Sequence, residues 1–198
     1  MGRSLMKRVI QSCGMVAILF GIAAAEQPAG VVLYFVSGDE VFLLLAEHAE
    51  GERGWAGVGG GAREGQNVME PAAHKGEEES RGYFKRADLL QRIKGQAPVM
   101  DGEFASFFAE ISFVPAPFIM SHEVPKADDA YLERSTFAWI PFSSISGYLN
   151  QEIDHTRKYE IEPGFLPAGS KTNWYWPIWL GNLREAVLAN ALPWNAKK

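Results

Sequence analysis

Residues 59–83 read GGGAREGQNVMEPAAHKGEEESRGY. Three glycines come first, and a helix-like run with Lys75 and the consecutive Glu77, Glu78 and Glu79 comes last. A glycine turn lets the backbone approach a ligand closely. Carboxylates on a helix beside such a turn can hold a divalent cation against phosphate oxygens, where the metal neutralises charge and activates water. The stretch thus looks like a phosphate-and-metal site with several letters changed. The bland alternative for an acidic run on a helix is a solvated face.

Those residues need elements to hold them. GVVLYFVSGDEVFLLLAEH reads as two strands around a turn at Ser37–Glu40, because both arms are rich in Val, Leu, Phe and Tyr. RGWAGVGGG is a short strand running into the glycines. Residues 72–81 read as a helix, and FKRADLLQRIKG as a second one ending at Gly95. EFASFFAEISFVPA and TFAWIPF read as later strands, SSISGYL starts a short helix, and WPIWLGNLREAVLANAL closes the chain with helical spacing. Asn67 suits a cap or the loop before the helix better than catalysis, and Pro71 suits a helix start. The pattern gives one mixed α/β domain over about residues 28–195, with no internal repeat or linker.

Residues 60–83 resemble the box of the Nudix hydrolase superfamily, G-x5-E-x7-R-E-U-x-E-E-x-G-U, with U a bulky apolar residue. Aligned without a gap, Gly61 takes the first glycine, Asn67 the first glutamate and Lys75 the arginine. Gly76 takes the next glutamate, Glu77 the apolar position, Glu79 and Ser80 the glutamate pair, Gly82 the last glycine and Tyr83 the final U. A one-residue slip would put Glu78 and Glu79 on the pair, but it breaks the agreement at the glycines, at Ala72–Ala73 and at Gly82, so the ungapped alignment is kept. The likeness extends over residues 30–145.

The resemblance implies a fold, an α/β/α sandwich around a mixed sheet, and a Mg²⁺ or Mn²⁺ cofactor. It also implies site residues. Each helical residue advances about 100°, so positions 76, 79 and 80 share one face and Glu77 lies beside it, with Glu78 opposite. On that basis Glu79 is the metal carboxylate and a catalytic residue. Glu77, Ser80 and Gly60 are further metal candidates, and Gly61, Lys75 and Tyr34 are candidates for substrate. Glu133 is a candidate general base, with Asp128 and Asp129 in the same loop. The implied activity is hydrolysis of a nucleoside diphosphate-linked compound. The missing carboxylates at Gly76 and Ser80 keep open a catalytically inactive binding or scaffolding protein on the same fold.

Composition bounds the rest. The 198 residues are 47% apolar and 22% charged, a globular balance. MGRSLMKR, an apolar run and Ala23–Ala25 before Glu26 have the layout of a secretory signal, which makes the mature protein exported; an uncleaved membrane anchor over residues 9–25 is the alternative. Removing residues 1–25 takes three basic residues away and moves the net charge from −5 to −8. It also removes the one cysteine, so a cysteine nucleophile and Cys-ligated zinc are excluded from the mature chain. An acidic chain without a basic stripe does not suit duplex nucleic acid, and a small nucleotide-like ligand remains the expected partner. The four histidines, His48, His74, His122 and His155, show no metal-ligand spacing.

Overall fold

The apolar run before SGDE forms β1 (Ala29–Ser37), and the run after it forms β2 (Glu40–His48). Gly38, at φ +60°, fills the first central position of the two-residue turn, where a type II′ turn calls for glycine. The computed structural model describes residues 27–49, 52–61, 67–124 and 129–195. The proposed leader and Asp128 lie outside the described residues.

The remaining strands are β3 (Trp55–Ala56), β4 (Val58–Gly60), β5 (Val99–Asp101), β6 (Phe104–Glu110), β7 (Arg134–Pro141), β8 (Tyr159–Glu160) and β9 (Trp174–Tyr175). The helices are α1 (Met69–Glu79), α2 (Arg86–Ile93), α3 (Ala116–Met120), α4 (Phe142–Leu149) and α5 (Pro177–Leu188). The strands make one mixed sheet: β6 runs parallel to β1, and β2 and β4 run antiparallel to it. β7 borders β2 on its far side. Two-residue strands such as β8 and β9, and the short β5 and α3, are too brief for periodicity to reveal.

Alternation along β1 explains the layering. Val31 and Leu33 join a core with Leu44, Phe107, Ala72, Ala73 and Leu89, beneath α1 and α2. Val32 and Tyr34 join the opposite core with Leu43, Leu45, Ile140, Trp179 and Leu180, beneath α4 and α5. Helices thus cover both faces of the sheet. Among the described residues no helix is long and apolar enough to cross a membrane.

Two details bring the glycine segment to α1. β1 and β2 diverge, and β3–β4 fills the gap by pairing with both. Gly30 and Gly59 make this possible: a Cβ on Gly59 would lie 2.6 Å from the Gly30 Cα. Helix α1 then starts earlier than expected, at Met69. The Asn67 side chain accepts the Met69 N–H at 3.1 Å, and Pro71 falls in the first turn, where no intrahelical N–H is needed. The helix ends in a Schellman turn, with Gly82 N–H on the Glu77 carbonyl (2.7 Å) and Arg81 N–H on that of Glu78 (3.0 Å).

Candidate ligand cleft

A cleft of about 880 Å³ opens where β4, the C-terminal end of α1 and the segment before β7 meet. Of the residues singled out by sequence, Gly60, Gly61, Lys75, Glu79, Asp129 and Glu133 all line it. His48, Arg53, Phe104 and Trp176 also line it, and the first three were not expected at the site.

Glu79 is held from three directions. Its side chain is 3% exposed, and its Oε2 accepts Arg134 Nε–H (3.1 Å), Arg134 Nη2–H (3.0 Å) and the Gly59 backbone N–H (3.0 Å). Burial raises the Glu79 carboxyl above its ordinary range, and the Arg134 charge and the Gly59 N–H oppose that rise. Arg134 itself is 1% exposed, so this is a buried ion pair joining α1 to β7.

Glu78 differs from the expectation of a solvated side chain. It is 1% exposed, with Oε1 2.8 Å from His74 Nε2 and Oε2 2.8 Å from Lys75 Nζ. The Lys75 ammonium also lies 3.9 Å from Glu133 Oε1. Burial alone would lower the Lys75 pKa, but Glu78, then Glu133 and Glu79, outweigh it and hold the lysine above its ordinary value. The Lys75 stem lies against Gly60, where an added Cβ would meet its Cδ and Cε at 3.4 Å.

Four expected positions are corrected. Gly76 does not face the cleft: a Cβ there would meet Leu89 Cδ1 at 2.5 Å and Val31 Cγ1 at 2.8 Å, so the position belongs to the core. Glu77 serves α2 instead, its Oε2 accepting the Arg86 N–H at 3.3 Å and its Oε1 lying 3.7 Å from Lys85 Nζ. Ser80 is fully buried, and its hydroxyl donates to the Glu77 carbonyl and accepts the Phe84 N–H, both at 3.2 Å. Tyr34 sits in the α4–α5 core, edge-on to Trp194, with its OH 3.5 Å from Glu110 Oε2. Burial, then the Glu110 charge, pushes its phenol up to about 12.

These changes bear on the metal that the resemblance implies. Mg²⁺ takes about six oxygen ligands in an octahedron. Here Gly76 contributes no side chain to the cleft, Glu77 and Ser80 are engaged elsewhere, and cationic partners take up Glu78 and one oxygen of Glu79. Among the described residues no three His, Cys, Asp or Glu side chains form a group able to hold a metal ion. The described residues, paired as they are here, do not fit a divalent cation. Lys75 and Arg134 bring positive charge to Glu78 and Glu79.

His48 adds a pH dependence. Burial, then the charges of Arg134 and Arg53, lower its pKa to about 3. The unfolded chain protonates this histidine near its ordinary value of 6.5. The unfolded state therefore binds the extra proton first, and stability drains away as pH falls from about 6.5 toward 3. In urea unfolding, the stability of wild type relative to His48→Gln is expected to decline steadily between pH 7 and pH 4. A difference that stays constant with pH would show that the imidazole is not held neutral.

The sequence signal for Arg134 was faint, a basic residue opening the strand before TFAWIPF and 55 positions from its partner. His48 carried no pattern. No family model matches the chain, and no curated protein matches it to a meaningful degree.

Proposed function

We propose that this chain is a Nudix-like binding protein, which holds a small nucleotide-like ligand in the cleft without a metal ion and does not hydrolyse it. The observation that carries the reading is the closure of Glu79 by Arg134 and Gly59, with Glu78 closed by Lys75. A metal hydrolase needs those carboxylates to face cations from solution. In this chain they face cations built into the fold.

The contacts also favour the slipped placement of the box. In that placement Gly76 takes the apolar position, in keeping with its seat on Val31 and Leu89, and Glu78–Glu79 become the paired acids. Nudix ancestry would then account for the layout of glycine loop, helix and cleft. The Nudix-type sandwich is part of this proposal, and the helix-covered mixed sheet supports it.

Titrating the purified protein with Mg²⁺ and Mn²⁺ by calorimetry, beside Glu79→Gln, tests the reading. We expect no Glu79-dependent heat up to millimolar metal, and no phosphate release from nucleoside diphosphate-linked compounds. Tight metal binding lost in Glu79→Gln, accompanied by turnover, would restore the hydrolase, with Glu133 or Asp129 as its base.

A further inference from the structure

The cleft has a second group of residues that the box does not explain. His48 on β2 and Arg134 on β7 are directly paired across the strands, so their side chains share one face of the sheet. Arg134 spends Nε and Nη2 on Glu79, but its Nη1 is buried with no hydrogen-bond partner. His48 Nε2 is buried without a partner as well. Buried polar atoms are nearly always satisfied, so two neighbouring exceptions call for a ligand or a solvent molecule to complete them.

His48 and the exposed Arg53 adjoin a fixed aromatic ring. His48 stands edge-on to Trp176, with centroids 5.4 Å apart, and the Arg53 guanidinium lies 5.6 Å from the centre of the same ring. The Trp176 backbone is tied to β3 through its N–H on the Trp55 carbonyl at 2.8 Å. One guanidinium and a neutral imidazole therefore flank one immobilised indole. A guanidinium beside a buried imidazole nitrogen favours oxygen anions over neutral or cationic groups.

We propose that the Arg53–Trp176–His48 corner, backed by Arg134, is an oxyanion subsite that binds a phosphate or carboxylate group of the ligand. This rests on the reading that the cleft works without a metal, and it names the chemistry that the cleft recognises. Arg53 meets the anion from the solvent side, while His48, paired with Arg134 across the strands, completes it from within. The indole offers an apolar surface to the part of the ligand next to the anion.

The test uses the full chain in metal-depleted buffer, with tryptophan fluorescence and calorimetry as readouts. Inorganic pyrophosphate and ADP probe for phosphate, succinate probes for carboxylate, and adenosine is the uncharged control. We expect at least one anionic probe to bind, and the arm that binds identifies the group. Arg53→Met should weaken that binding about tenfold or more, as loss of a charge-assisted hydrogen bond does. Its melting temperature should stay unchanged, because Arg53 is exposed. His48→Gln should weaken binding too. Failure of every anionic probe to bind, or equal binding by wild type and Arg53→Met, would overturn the subsite. Adenosine binding as tightly as ADP would overturn the subsite and leave metal-free binding standing. ADP binding only with added Mg²⁺, and not in Glu79→Gln, would overturn both.

Discussion

Arg134→Met is expected to destabilise the protein by about 3–5 kcal/mol, the usual loss when one partner of a buried ion pair is removed. The methionine fills much of the arginine's volume, so the loss reports charge more than packing. What remains is a carboxylate 3% exposed that keeps the Gly59 N–H but has lost its guanidinium. Such a group avoids part of its penalty by taking up a proton. The folded-state pKa of Glu79, already raised by burial, then rises further once Arg134 no longer opposes it. A carboxyl raised in the folded state loses stability as pH climbs above its unfolded value and regains it as pH falls. Urea unfolding should therefore find Arg134→Met least impaired near pH 5 and most impaired near pH 8. Glu79→Met combined with Arg134→Met should recover most of the loss, because removing both charges of a buried pair is often nearly neutral. An Arg134→Met protein as stable as wild type at pH 8 would mean that the pair is not formed in solution.

Gly76→Glu gives the second large effect. The ungapped Nudix alignment asks for a glutamate at this position, so the substitution looks like a repair. The structure places it in the core, where even a Cβ meets Leu89 at 2.5 Å and Val31 at 2.8 Å. A glutamate there adds overpacking to an unpaired buried carboxylate, and the protein should fail to fold. Gly76→Ala separates the two causes. Helix propensity alone favours alanine by about 1 kcal/mol. Overpacking in a filled core costs about 1–3 kcal/mol. We expect the packing loss to win, with a net destabilisation on chemical denaturation. A stabilised Gly76→Ala would show that α1 does not sit this close to β1.

Both expectations turn on information that the sequence holds only in part. The β1–β2 hairpin was legible because SGDE interrupts two unambiguous apolar runs. The glycine segment, α1, α2, β7 and α5 were legible for similar local reasons, and Glu79, Lys75, Gly60, Gly61 and Glu133 do meet in one cleft. Orientation was not legible. Helical angles relate residues 76 to 80 to one another, but only the contacts of Gly76 with Leu89 and Val31 show which side of the helix faces inward. Glu78 misled because charge runs usually face solvent, and its two partners, His74 and Lys75, lie on its own helix, where metal chemistry directs attention to acids. Arg134 was missed because attention to metal ligands passes over a guanidinium. Tyr34 was misplaced because alternation fixes which residues share a face of β1 without saying which face meets the glycine segment.

The seat of Gly76 also acts on strand register. Alternation excludes one-residue slips of β1, since these would exchange its two faces. A two-residue slip keeps every side chain on its own face, and alternation cannot forbid it. Such a slip would bring Leu33 or Ala29 under Gly76 in place of Val31. Leu33 is longer than the side chain that already fills the space, and Ala29 would leave a void beside Leu89. The missing side chain on α1 thus measures β1 to the residue, and a helix that reads as a weakened site serves as the gauge for the central strand.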